Sequence, residues 1–409
     1  MKKFTSYLTE QKNTHMEHLE DSVLNNGVKG ARDAINFLQS LRDMLSGSTA
    51  RPVNTTVKWD GAPAIFAGID PRDGKFFIAK KGIFNKDPKI YKTGAEIDGD
   101  LGSNDLSTKF KLALSELPKL GITGVIQGDF LYSNDTLGTE VIDGEKLVTF
   151  HPNTIVYTVP YSSELGKKIR SSKIGIVWHT RYVGDSFESM KAEFGQDISS
   201  KLTQTKGVWH TDATYKDVSG SASMTAKETA AVTSILSSAG KTFRGISAKT
   251  LNAIAESDEI KTRIKTHFNT KVRAGEKIAN PRNHVRGLMN YVIQYYSKQI
   301  ESKKTEKGKA PWIQKKKEMM QFFGSSNSAD LVKIFTLMNQ IIDAKELIIQ
   351  KMDKASSIGT FLKTSKGFEV TAPEGYVAIN NDGEAVKLVN RLEFSRANFS
   401  DDVIKGWQK

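Results

Sequence analysis

The chain has 409 residues, 38% apolar and 26% charged, with 32 Gly and 10 Pro, the make-up of a globular protein with room for two or three compact units. No run of 18 or more apolar residues occurs, so no membrane partner is expected, and the Lys2-Lys3 start lacks the apolar stretch of a signal peptide. Zero cysteines exclude a disulfide framework, thiol catalysis and thiolate metal sites and fit a cytoplasmic protein, while the net charge of +13 favours anionic partners.

Residues 1–50 read as an N-terminal helical segment, because Ala31, Ala34, Ile35, Leu38, Leu41 and Leu45 recur at helical spacing before Ser46-Gly47-Ser48 ends the run. From Thr55 the pattern becomes short strands. TTVKWDG leads into APAIFAGI, the turn Asp70-Pro71-Arg72-Asp73-Gly74 and KFFIAKKGIF, a hairpin pattern. Residues 107–120 form an amphipathic helix, and 124–133, 146–150, 154–160 and 173–182 are predicted strands. Hairpin turns join most of them, so 51–184 reads as α+β with a mostly antiparallel sheet.

From 185 to 366 the reading is helical. Thr225-Ala226-Lys227-Glu228 is a capping box, Ser247 opens another helix, and 283–304 is helical. Residues 303–317 are expected to be a lysine-rich loop broken by Gly308 and Pro311, and Leu331, Ile334, Phe335, Met338, Ile341, Ile342 and Ile348 form a core stripe. Between Lys261 and Lys317 sixteen Lys/Arg face three acids, Glu276, Glu301 and Glu306, with Tyr291, Tyr295, Tyr296 and Trp312 nearby. Charge for phosphates and rings for bases describe a nucleic-acid surface; a solvated helical face with a flexible loop has the same composition. Strands return over 367–409, with Asp382-Gly383 as the turn of a second hairpin. Strands on both sides of a helical block suggest an all-α insertion in one sheet-based domain.

The chemistry concentrates at Val57-Lys58-Trp59-Asp60-Gly61, at a strand end. A lysine held neutral is a nucleophile, Asp60 shares its strand face and suits a metal or the lysine, and Gly61 lets a ligand approach the backbone. A strand-end lysine before a turn looks the same. His15 and His18 match no zinc spacing and suit an exposed helix face, and His179 and His210 read as structural. A Walker A loop and a GxGxxG motif are both absent.

Lys58-Trp59-Asp60-Gly61, then Gly128-Asp129-Phe130, the strands around His151–Tyr157 and Ile176–Tyr182, Glu374-Gly375-Tyr376-Val377 and the hairpin Lys387 together resemble the motifs of the ATP-dependent covalent nucleotidyltransferase superfamily of polynucleotide ligases and mRNA-capping enzymes. The likeness is greatest to phage RNA ligases of the tRNA-repair type. It covers roughly 55–184 and 367–395 and implies an antiparallel-sheet adenylation domain. It further implies that Lys58 attacks ATP to form lysyl-AMP, that Glu374, Asp129 and Asp60 serve Mg2+ or Mn2+, and that Lys387 neutralises the α-phosphate. Trp178 would stack on adenine with Arg181 near the phosphates, and Lys80 or Lys81 would meet the β/γ-phosphates or the nucleic acid. An RNA substrate is implied above DNA. The chain departs from the family with Asp129 in place of Glu, Val389 in place of a second lysine, and no room after Lys387 for a C-terminal OB-fold. A protein that adenylylates itself but seals poorly, or a non-catalytic nucleic-acid binder, fits these departures as well.

Overall fold

A computed structural model describes residues 18–47, 54–213, 223–353, 358–365, 367–371, 374–379 and 385–407. Strands β2 (Ala64–Ile69) and β3 (Phe76–Ala79) form the expected hairpin. Asp70 closes its turn, accepting from the Arg72 backbone and side chain at 3.0 Å and from Lys92 at 2.6 Å. Around it grows a seven-stranded sheet in the order β10 (Lys191–Phe194), β9 (Ile174–Val183), β5 (Val125–Ser133), β2, β3, β4 (Ile90–Tyr91), with β11 (Val208–Asp212) also on β9. Only the β11–β9 pairing is parallel among these described strands.

One face of this sheet carries Ile65, Ile126, Phe130, Ile176 and Trp178 against Phe110 and Ala113 of helix α4 (Asp105–Glu116). The opposite face contributes Leu131 and Val177 to a core shared with Val148, Phe150, Tyr157 and Val159. Those residues belong to a five-stranded antiparallel sheet in the order β13 (Gly367–Val370), β12 (Gly359–Thr364), β8 (Ile155–Pro160), β7 (Glu145–Phe150), β6 (Gly138–Ile142). Helix α3 (Gly94–Leu101) adds Ile97 to the first of these cores and α5 (Glu164–Ser171) adds Ile169 to the second.

Helices occupy a shorter stretch than 185–366. β10, β11 and β12 fall inside that range, and the helical run extends only from α6 (Ala226–Arg244) through α7 (Ala248–Glu256), α8 (Asp258–Arg273), α9 (Pro281–Glu301) and α10 (Glu306–Phe323) to α11 (Ser325–Met352). The hidden strands are short, and β10 shows only a weak alternation between exposed and half-buried positions. The first helices, α1 (Ser22–Asn25) and α2 (Gly27–Leu45), are not a separate segment either: Leu38 and Leu41 share one core with Val232, Leu236, Leu251, Ile334, Phe335 and Met338. The expected lysine loop is α10. Thr305 caps it by accepting from the Gly308 amide at 3.1 Å. Pro311 lies inside the helix and forfeits one bond to the Lys307 carbonyl, while Met319 and Phe323 anchor the helix in the core.

The third sheet joins both halves. β1 (Asn54–Lys58) pairs with β14 (Gly375–Ile379), which pairs with β15 (Ala385–Leu388); the expected turn at Asp382-Gly383 lies outside the described residues. Tyr376 and Leu388 of this sheet are buried in the helical core. The Tyr376 hydroxyl donates to Asp353 at 2.7 Å, and Lys345 on α11 meets Glu20 at 2.6 Å, both wholly buried. Helix α12 (Arg391–Phe399) follows β15, with Arg391 donating to Asp21 at 3.1 Å. Among the described residues no helix is long and apolar enough to cross a membrane.

Candidate functional site

Strand pairing brings the two ends of the sequence together. β1 runs antiparallel to β14 with Lys58 opposite Gly375, and Val377 lies opposite Lys387. Gly375 has φ of 133°, a conformation that disfavours a side chain, and a Cβ there would also collide with Leu388 and Val389. The Lys58 ammonium forms an ion pair with the Glu374 carboxylate, the lysine side chain 22% and the glutamate 8% exposed. Burial pushes Glu374 up to about 7; Lys58 and Lys387 oppose that shift and Asp60 adds to it.

The loop after Lys58 is tied down on both sides. The Asp60 amide donates to the Tyr157 hydroxyl at 2.6 Å. Its carboxylate accepts from Asn153 Nδ2 and the Thr154 amide at 2.6 Å and from the Ile155 amide at 2.8 Å. Burial still raises the Asp60 pKa, against the pull of those bonds. Asp60 therefore joins the Lys58 loop to β8. Both its oxygens already accept bonds from the protein, which gives Asp60 a structural role in holding the loop. Gly61 packs on Asp129, whose Cβ lies 2.5 Å from where a Gly61 side chain would begin, and Ala62 donates to the Phe130 carbonyl at 3.0 Å.

Asp129 sits on β5, partly exposed, with His179 Nε2 at 3.7 Å from its carboxylate. His179 is the extra residue of a β-bulge: Gln127 pairs with Thr180 and Gly128 with Trp178, leaving no β5 partner between them. The His179 Nδ1 contacts Thr180 Oγ1 at 2.7 Å. The buried Tyr157 hydroxyl feels Asp60, Glu374 and Asp129 together, which add to burial in raising its pKa well above the ordinary phenol range. Lys58, Asp60, Gly61, Asp129, Glu374 and Lys387 thus form one cluster.

A family model described as a family of unknown function, DUF6267, matches residues 13–402. The chain belongs to that family. No curated protein matches it, and no solved structure does.

Other expected positions in this DUF6267 chain lie away from the cluster. Trp178 is 0% exposed and packed among Ile65, Phe110 and Phe130, so it cannot stack on a ligand; the bulge turns His179, not Trp178, towards Asp129. Arg181 is exposed on β9 opposite Ile126 and Glu193. Lys80 is 3.4 Å from Asp100, which also takes Lys89 at 2.8 Å and the Tyr91 hydroxyl at 2.6 Å. Lys80 and the exposed Lys81 follow β3, one strand beyond β2, whose Ala64 pairs with Asp129. Two strand spacings set them roughly 10 Å from Asp129. His18 is not on an exposed helix face: it bridges Lys387, and burial lowers its pKa to about 3. His15 lies outside the described residues.

The sequence assigns no role to Tyr157, Asn153 or Thr154 and reads His179 as structural, yet these four complete the cluster; nor does it single out Lys405. Lys405 Nζ donates to the Ala397 carbonyl at 2.8 Å and lies 3.5 Å from Thr154 Oγ1. The Gly406 amide donates to the Asn153 carbonyl at 2.7 Å. The tail thereby backs the loop that holds Asp60. Among the described residues no three His, Cys, Asp or Glu side chains are grouped to hold a metal by themselves. With Asp60 committed, Glu374 and Asp129 are the site's remaining carboxylates, and one or two carboxylates plus substrate phosphates is how Mg2+ is usually held.

Proposed function

We propose that this protein is an ATP-dependent nucleotidyltransferase of the polynucleotide-ligase type, with an antiparallel adenylation domain and RNA as the favoured acceptor. The observation that carries the reading is the Lys58–Glu374 pair, with Lys387 on the next strand and Asp129 across the Gly61 turn. Phosphoryl transfer asks mainly for in-line placement and fixed charge, and this cluster offers a nucleophilic amine, a second cation and two carboxylates.

In the first step Lys58, positioned by its ion pair with Glu374, gives up a proton to solvent. The freed Nζ lone pair then forms an N–P bond to the α-phosphorus of ATP, the bond to the bridging α–β oxygen breaks, and pyrophosphate leaves. Lys387 balances negative charge on the α-phosphate. Mg2+ or Mn2+, when bound, would supply further positive charge at the phosphates, with Glu374 and Asp129 as its protein oxygens. AMP then moves from Lys58 to the 5′-phosphate of an RNA end. A 3′-hydroxyl displaces it, forming a phosphodiester and releasing AMP. With Trp178 in the core, His179 and Trp59 are the half-buried rings bordering the site.

Incubating the full chain with α-32P-ATP and Mg2+ or Mn2+ tests this. Label should survive denaturation and alkali, be released by acid, map to Lys58 and vanish in Lys58→Ala. Absence of label with any of the four nucleotides overturns the reading. A second reading, self-adenylylation without sealing, is favoured by Val389, buried where a second lysine would stand. It predicts label on Lys58 but no joining of 5′-phosphorylated RNA.

A further inference from the structure

The helices α8, α9 and α10 carry a feature that the Lys58 cluster does not use. Their surface holds a chain of rings: His267 on α8, Tyr291 and Tyr295 one turn apart on α9, and Trp312 on α10. Centroids are 5.7 Å apart from His267 to Tyr291 and 6.3 Å from Tyr291 to Tyr295, and the buried Tyr296 continues the series to Trp312 at 6.4 Å. Apart from Tyr296 these rings are half-buried.

Cations lie beside them. The Arg263 guanidinium sits 3.8 Å above the Tyr295 ring and donates to the Tyr291 hydroxyl at 3.4 Å. Lys303 and Lys315 flank Trp312 at 5.5 and 5.6 Å. Packing alone accounts for rings between helices. It does not account for the surplus charge of these helices: Lys298 on α9, Lys304 between α9 and α10, and Lys307 and Lys317 to either side on α10 are exposed and pair with no carboxylate among the described residues. Like charges gathered without counter-charges repel one another, and phosphate is the counter-charge they match. Half-exposed rings interleaved with cations suit unpaired bases, which offer their faces; a duplex keeps its base faces stacked inside.

We propose that this face binds single-stranded nucleic acid, with bases stacked on Tyr291, Tyr295 and Trp312 and phosphates held by Arg263 and the lysines of α9 and α10. The proposal deepens the nucleic-acid part of the function above and does not depend on Lys58 chemistry.

The test is fluorescence anisotropy with a labelled 20-nucleotide oligouridylate, competed by unlabelled duplex of equal length and by phosphatidylserine vesicles. Trp312→Ala should weaken binding about tenfold or more. The quadruple change of Lys298, Lys304, Lys307 and Lys317 to Gln should flatten the salt dependence by about 3 in log–log slope. Circular dichroism and melting checks that each variant folds, and Trp312→Phe, which keeps a ring, should bind close to the unaltered chain. Trp312→Ala and the quadruple variant should still take α-32P label at Lys58, and Lys58→Ala should still bind, so failure of either proposal is seen separately. Unaltered binding by folded Trp312→Ala or by the folded quadruple variant overturns the proposal. So does equal competition by duplex, or displacement by vesicles, to which the exposed Ile313 and Met320 of α10 would then belong.

Discussion

Asp60 accepts three hydrogen bonds where a bare carboxylate would be costly to bury. Asp60→Ala leaves the Thr154 and Ile155 amides and the Asn153 side chain without their acceptor. With about 1–3 kcal/mol for each buried orphan, a loss of roughly 3 kcal/mol is expected, read as a lower urea midpoint. Glu374 is likewise a carboxyl raised by burial, from 4.5 to about 7. The folded chain then binds more protons than the unfolded one between those values, so this group's contribution to stability is greatest below pH 4.5 and is lost as pH rises through 7. Glu374→Gln should flatten the melting-temperature profile over that window, by up to about 3 kcal/mol in free energy; an unchanged profile would place the titration elsewhere. At this scale the sequence is informative where a motif fixes spacing, as around Lys58, Asp129 and Glu374. It misleads at Trp178, because strand alternation assigns faces only while register holds and the bulge at His179 interrupts it.

Among the elements, α11 and the turn ahead of α1 are joined by a charge pair that only the folded chain assembles. Glu20 and Lys345 are wholly buried and 2.6 Å apart, with Arg391 at 3.9 Å. Lys345→Met strands the carboxylate and should cost about 3–5 kcal/mol, whereas adding Glu20→Met should recover most of it; thermal melts of the two variants measure the difference. The hairpin of β2 and β3 is legible from its turn residues, and α11 from its apolar stripe. Helix α10 is not, because Gly308 and Pro311 read as breakers while the Thr305 cap and the burial of Met319 and Phe323 outweigh them. β6 escapes too, although Asp143-Gly144, both at positive φ, carries the same turn signal as Asp382-Gly383.

Across the molecule, strands flanking a helical block correctly suggest that early and late segments share sheets, and β12 on β8 and β14 on β1 are those pairings. The union of α2 with α6–α11 is not readable, since contacts such as Arg42 to Thr233 at 3.1 Å join faces that each look like an ordinary amphipathic helix. The late pairing of β1 also governs how the chain is born. Thr56 and its partner Val377 are 321 residues apart, and a ribosome adding about 5–20 residues per second needs on the order of 15–60 s to cover that interval. Throughout that time a nascent chain displays Lys58 on a strand whose eventual neighbour has not been synthesised. A translation product that stops short of Gly375 is missing that strand altogether, so a premature stop anywhere upstream costs the cluster as surely as losing the lysine.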